Sequence, residues 1–554
     1  MKRRIALVLV CALVASAAAW AGGQSQAART TVQVNPGGVF PIVDQPVTMT
    51  AFAPLNVNVT TLSIERNLMT QWIAERTGVR LDFVEVPSAE SEQRLNVMLA
   101  AGDYTDVIIR SISKSAELLY GQAGVLVKLN DYIDQYGVET KKMWEDGRDH
   151  VRLAQLAADG NIYGMAAVNE CFHCFYSQKM WVNTEWLDTL GLDMPETIED
   201  FHQMLLAFKT QDPNGNGIAD EIPLAGSYVD GWNTKIDAFL MMPFIYHDGG
   251  TRHFIRNGSI IQAYTQPEWR EGLKYINRLY RDGLILTDTF TQDQRRLMAV
   301  AENPDVAILG AFTGGHVGIA LQMSGPSGRD QIYKTIPPLI GPSGERYARY
   351  TPSYGWNNYF ITNKNANPAA AFRLGDFMYT EEFTVWNGWG MKGDTWTDPD
   401  PGAVGLDGVT PATRKMVKSW GTGDPLTWWN QLGSFLQSSE FGGVRGGAQR
   451  SDSPSDLEVI LFDETAKNYY PFSPPDSMIV PPLSYSESVA AELSELETAL
   501  NSYVDESTAR FITGDLDING ADWDRFLGEL RRIGVERYVE IKQEAFQASP
   551  FFGR

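Results

Sequence analysis

The sharpest chemical pattern in the chain runs from Asp212 through Pro213, Asn214, Gly215, Asn216, Gly217, Ile218 and Ala219 to Asp220 and Glu221. Oxygen-bearing side chains recur at nearly alternate positions, and Gly217 falls sixth. A hard divalent cation takes about six to eight oxygens, and a glycine at that point lets the backbone turn tightly around it. Asp212, Asn214, Asn216, the Ile218 carbonyl, Asp220 and Glu221 therefore form a ligand set resembling the first half of a calcium loop. The twelfth position is Pro223 rather than an acid, so Glu221 would have to close the shell. The expected cofactor is a structural Ca2+ ion, and the alternative is a solvated turn of the kind Asn and Asp favour. A second run from Asp515 to Gly520 starts the same way but carries Phe526 at the twelfth position. It reads as a turn, with Asp522 capping the last helix.

Aromatic side chains supply a second kind of chemistry. Trp232, Tyr354, Trp356, Trp386, Trp389, Trp396, Trp428 and Trp429 fall mostly in polar or glycine-rich surroundings. Flat rings can stack on the C–H faces of sugars while nearby polar groups bond the hydroxyls, which is how concave sites combine apolar walls with a few oriented polar atoms. The expected stacking residues are Trp232, Trp356, Trp389 and Trp396, with Tyr354 and Asn357 among the polar contacts. For each ring the alternative is ordinary core packing.

Cys171 and Cys174 enclose Phe172 and His173 in a C-x-x-C spacing. A small structural disulfide, a thioredoxin-like pair and a zinc site are the three readings. The chain has no βαβ redox context around the pair and no partner pair to complete a zinc shell. Signatures of catalysis are thin: there is no G-x-S-x-G, no H-E-x-x-H and no P-loop. The chain is expected not to be an enzyme.

These residues must be positioned by a large scaffold. Lys2, Arg3 and Arg4, the apolar stretch Ile5 to Ala19 and the Ala19-Trp20-Ala21 pattern read as a signal peptide over 1–21. Cys11 lies too early for lipid modification of the processed end, so a secreted periplasmic or extracellular protein is expected. Residues 22–45 read as a flexible leader. Short strands at Val47 to Ala53, Val79 to Phe83 and Asp106 to Ile109 alternate with helices near Leu62 to Trp72 and Gln93 to Ala101. That order predicts a parallel α/β sheet with crossover helices. Further on, helices are expected at Thr197 to Thr210 and Glu268 to Asp282, and a strand at Val306 to Leu309. Residues 352–429 read as irregular, and two long amphipathic helices end the chain. The net charge of −22, which becomes −25 without the three leading cations, argues against nucleic acid as a partner.

Over most of its length the chain resembles the extracellular solute-binding proteins (family 1) of carbohydrate ABC transporters, within them the LipO-like and alginate-oligosaccharide-binding group. The resemblance is carried by Leu95 to Asp103 with Asp106, Asp159 to Met165, Trp186 to Leu192, Pro195 to Thr197, Tyr275 to Ile285, Phe511 to Gly514 and Gln543 to Phe546. The Asp212 to Pro223 loop resembles that group's calcium loop. The resemblance implies an α/β, two-lobe periplasmic binding protein fold (class II type) with a hinge and extra C-terminal helices. It implies an N-terminal lobe of 46–165 and 300–355, a C-terminal lobe of 166–299 and 356–480, and helices over 481–554. It also implies an oligosaccharide captured in the cleft by a monomer and delivered to a permease. Lys392 stands where relatives carry an acid, and either favours an acidic sugar or reaches out to solvent. A secreted carbohydrate-active enzyme and a receptor for a peptide are the competing functions.

Overall fold

The computed structural model describes residues 31–55, 63–418, 424, 426–439 and 447–553. The expected signal peptide and the first part of the leader lie outside them.

In chain order the strands are β1 (Val47–Leu55), β2 (Val79–Pro87), β3 (Val107–Ile108), β4 (Gly164–Asn169), β5 (Met180–Asn183), β6 (Ile222–Ala225), β7 (His253–Arg256), β8 (Ser259–Gln262), β9 (Leu309–Thr313), β10 (Tyr333–Thr335), β11 (Trp356–Ile361), β12 (Trp396–Thr397), β13 (Lys415–Met416) and β14 (Phe435–Gln437). Six form one sheet in the order β14-β4-β11-β3-β1-β2, and four form another in the order β10-β5-β9-β6. Each sheet carries its own buried cluster and defines a lobe. The expected parallel start is present: β1 pairs in parallel with both β2 and β3. Helices Leu68–Thr77 and Ser91–Ala101 make the crossovers.

The lobe boundaries need correction. β9 and β10 belong to the second sheet, so 300–335 sits in the second lobe rather than the first. β11 and β14 belong to the first sheet, which reverses the assignment of 356–437. β11 inserts antiparallel between β3 and β4, a pairing between strands hundreds of residues apart that local patterning cannot encode. The chain thus crosses between lobes after β4, again before β11, and again after β14.

Three other expectations change. Segment 31–45 is not a free leader. Ile42 and Val43 are buried in the first lobe, and the Arg373 guanidinium donates to the Asn35, Pro36 and Val39 carbonyls. The stretch after Pro352 contains β11 and the helices Pro368–Phe377 and Glu381–Trp389. Three helices rather than two end the chain: Glu487–Thr513, Asp522–Ile533 and Val535–Ala548. Gly534, at φ 118°, breaks the last two apart in a backbone region only glycine enters readily. Their apolar faces, including Leu500, Phe511, Phe526 and Tyr538, complete the core of the second lobe. Among the described residues no helix is long and apolar enough to cross a membrane.

Candidate ligand-binding cleft and metal loop

The first crossing leaves β4 at Asn169 and carries the short helix Phe172–Phe175 before β5. Cys171 and Cys174 are joined in a disulfide there. Both sulfurs are consumed, so His173 is left without the thiolates a zinc site needs. The second crossing passes alongside, ending in Ser353, Tyr354 and Gly355. Between the two runs lies a cavity of about 420 Å³ lined by Asn169, the disulfide, Phe175, Tyr354 and Trp356. Trp356 starts β11 and leaves 43% of its surface exposed. Its indole meets Phe435 edge-on at 5.9 Å. Tyr354 is half-buried between His150 and Phe551, with ring centroids at 6.1 and 5.4 Å. Burial pushes its phenol up to about 12, so it stays a protonated donor.

A neighbouring cavity of about 360 Å³ shares Thr351, Pro352 and Tyr354. Its charged groups are held by local hydrogen bonds. Arg349 donates to the Asp248 carbonyl at 2.5 Å and to Asn233 Oδ1 at 2.6 Å, while Asp248 Oδ2 accepts from the Thr251 hydroxyl at 2.8 Å. That arrangement holds the crossing in shape.

The second lobe presents Trp232, 40% exposed, from the loop after β6. A Cβ on Gly315 would lie 2.1 Å from this indole, so only glycine lets the strand end approach the ring. The Gly315 NH donates to the Trp232 carbonyl at 2.8 Å, and the His316 ring sits 6.0 Å away. Beneath lies Lys179, fully buried, its ammonium donating to the His173 and Tyr176 carbonyls. Burial lowers Lys179 to about 7, His173 to about 3 and His316 to about 4. Both imidazoles are therefore neutral at ordinary pH.

A further ring stands at the end of the helix Glu381–Trp389. Trp389 is half-buried, and the Arg414 guanidinium carbon lies 4.4 Å from its ring centroid. Burial lowers Arg414 to about 10, opposed by the charges of Glu458 and Glu381. Glu458 begins the helix Leu457–Asn468 of the second lobe and faces His173 Nδ1 at 4.0 Å. Trp232 thus neighbours His316, Trp356 shares a cavity with the disulfide, and Trp389 meets Arg414, whose charge acts on Glu458 beside His173.

Other expected contacts are placed elsewhere. Asn357 is buried and donates to Glu117 Oε1 at 2.7 Å inside the first lobe. In β11 only Trp356, at the strand start, is exposed, and every residue from Asn357 to Ile361 is buried. Lys392 pairs with Asp398 at 2.6 Å with both side chains largely exposed, the solvent-reaching outcome. Trp396 donates its ring NH to the Gly390 carbonyl at 2.9 Å and carries the Lys392 ammonium over its face. Among the described residues neither joins Trp232, Tyr354 or Trp356 by a hydrogen bond or ring contact. Trp428 and Trp429 are core residues, and Trp386 packs on Trp72 with centroids 4.8 Å apart. Sequence reasoning marked His173 only through the C-x-x-C spacing and missed Glu458, His316 and Arg414, which come from separate segments.

The metal loop follows the helix Ile198–Thr210, whose Thr197 and Asp200 form a reciprocal capping box. Asp212 Oδ2 accepts from the Gly217 NH at 3.0 Å, and Asn216 Oδ1 accepts from the Ile218 NH at 2.7 Å. The Asn214 and Asn216 amides donate to Asp220. Asp212 Oδ1 and Glu221 Oε1 are buried without a donor. Burial, with Asp212 and Asp220 nearby, raises Glu221 above the usual carboxylate range. Crowded, desolvated carboxylate oxygens of this kind are what a divalent cation satisfies, so the residues fit Ca2+. The exposed Ile218 side chain leaves only its carbonyl as a ligand. In the second run, the Asp517 NH donates to Asp522 Oδ2 at 2.7 Å, which is a turn tied to the helix start.

The family described as bacterial extracellular solute-binding protein matches residues 58–384. The chain belongs to that family. Like other solute-binding proteins, it is similar to the fructooligosaccharide ABC transporter substrate-binding protein FusA of Streptococcus pneumoniae, with 26% identity over 92% of each chain. It is 26% identical to lipoprotein LipO of Bacillus subtilis over 49% of this chain and 52% of that one. Among solved structures, an HMO-binding, ABC-transporter-associated solute-binding protein from Bifidobacterium longum infantis shares the fold, with a TM-score of 0.74 and 19% identity over 91% of this chain and 99% of that one. FusA in complex with kestose gives a TM-score of 0.70 at 24% identity, covering 90% of this chain and 98% of FusA.

Proposed function

We propose that this solute-binding protein captures an oligosaccharide between its lobes, releases it chemically unchanged and delivers it to the permease of an ABC importer. The observation that carries the reading is the pair Trp232 and Trp356, two large flat rings left 40% and 43% exposed on different lobes. Leaving such surface open is unfavourable unless a ligand covers it. A ligand touching both rings favours the closed arrangement, because its contacts differ between open and closed states. The sugar-binding names of its relatives support the same ligand class. The family membership supports a receptor rather than an enzyme, acting outside the cytoplasmic membrane; we take it to act as a monomer.

Calcium is part of the proposal. Asp212, Asn214, Asn216, the Ile218 carbonyl, Asp220 and Glu221 would hold it. A bound ion would supply the positive charge that the buried oxygens of Asp212 and Glu221 lack. Its role is structural, fixing the loop that leads into β6.

The test is a thermal-shift and calorimetry screen of neutral oligosaccharides, acidic oligosaccharides and peptides. A sugar is expected to raise the unfolding temperature and to be recovered intact. Binding of peptides alone, or breakdown of the sugar, would overturn the reading.

A further inference from the structure

Glu458 occupies the first turn of the helix Leu457–Asn468, whose Ile460 and Leu461 are buried in the second lobe. Its backbone NH is capped by Asp456. Its carboxyl accepts no hydrogen bond from the described residues. His173 Nδ1 lies 4.0 Å from it, beyond hydrogen-bond range, on a ring that burial keeps neutral.

The charged groups around it are already engaged. Arg414 reaches Glu458 electrostatically but lies against Trp389. Lys179 is spent on two carbonyls, and Glu464 accepts from Thr335. Asp456 adds a like charge. Yet 31% of the Glu458 side chain is accessible. A carboxyl with an open face and no donor among the described residues, 4.0 Å from the His173 ring in the disulfide turn and within reach of the Arg414 charge, is placed to take donors from a ligand.

We propose that Glu458, beside the disulfide turn, is a specificity-determining residue whose carboxylate accepts hydroxyl hydrogen bonds from a neutral oligosaccharide. This rests on the sugar-capture reading and narrows it to uncharged sugars, since a uronate would meet a like charge. Burial and Asp456 raise the free carboxyl to about 7. Hydroxyl donors stabilise the charged form. Below that value the group must lose its proton before it can bind, and above it the site is ready.

The experiment is calorimetry of the intact protein against a panel of neutral fructo-, gluco- and galacto-oligosaccharides and of oligogalacturonates. Titrations are run near pH 6 and near pH 8 in buffers of different ionisation enthalpy. A neutral sugar is expected to bind about tenfold more tightly at the higher pH, the change in ionised fraction across a group near 7, and to show a buffer-dependent heat near neutrality. Glu458→Gln is expected to bind more weakly, with no such pH response. Should that variant fail to fold, Glu458→Asp is titrated in its place, and affinity equal to that of the unaltered protein overturns the proposal. Neutral-sugar binding of equal strength at both pH values, a pH response retained in Glu458→Gln, or preference for oligogalacturonate overturns this proposal while leaving sugar capture standing. Binding of no sugar at either pH overturns both.

Discussion

The guanidinium carbon of Arg414 lies 4.4 Å from the centroid of the Trp389 ring, in a position almost sealed from solvent. Planar stacking of this kind belongs to arginine, because an ammonium concentrates its charge and holds its water more tightly. Arg414→Lys is therefore expected to cost about 1–2 kcal/mol of stability, measured by urea unfolding. It should also free the Trp389 ring and weaken sugar binding several-fold.

The exposed rings give a cleaner separation of affinity from folding. Trp232→Ala and Trp356→Ala are each expected to lower sugar affinity by about 10- to 100-fold, the loss of one well-covered aromatic contact. Their unfolding temperatures should stay close to that of the parent. Unchanged affinity in both variants would remove the two rings from the binding site.

Gly315 tests the same wall by another route. A methyl group there collides with the Trp232 indole, so Gly315→Ala must rotate the ring or shift the strand end. The expected cost is about 1–3 kcal/mol of stability, with a loss of affinity comparable to that of Trp232→Ala. Tryptophan fluorescence and calorimetry read the two effects separately.

On the proposal that the Asp212 loop holds calcium, a chelator should lower the unfolding temperature, and added Ca2+ should restore it. Asp212→Ala is expected to abolish the response. The pH dependence carries a defined sign. Glu221 is raised in the folded state, so its contribution to metal-free stability is present below the unfolded carboxylate value and is lost as pH rises through the folded one. Metal-free protein should thus weaken with rising pH across that window, and saturating Ca2+ should flatten the slope. A slope unaffected by calcium would separate Glu221 from any ion.

Arg373 holds segment 31–45 through three carbonyl acceptors. Arg373→Met is expected to cost about 2–4 kcal/mol, since hydrogen bonds to a charged donor each contribute about 1.5 kcal/mol or more. Limited proteolysis should then cut within that segment first.

What was legible in the sequence was local. Thr197 and Asp200 announce the helix Ile198–Thr210 because a capping box is complete within four residues. Gly78 ends Leu68–Thr77 for a similarly local reason. The alternation of strand and helix at the start told the pairing of β1 with β2 and β3. Lobe membership was not legible, because β11 chooses its neighbours across the whole chain. Of the expected cleft residues, Tyr354 and Trp356 line the disulfide cavity, Trp232 lies in the loop after β6 and Trp389 ends its helix. Asn357 lies in the part of β11 that is buried throughout, and Lys392 is held by a carboxylate six residues on. Glu458, His173 and Arg414 come together only in three dimensions, and nothing in the sequence around Glu458 or Arg414 marks them.

Because Arg373 fastens the early segment to one lobe while Tyr538 and Ile541 seat the final helix on the other, the described stretch ends on opposite jaws. A donor dye near residue 38 and an acceptor near residue 544 would form a molecular ruler, reporting the angle between the jaws in single molecules without touching the ligand.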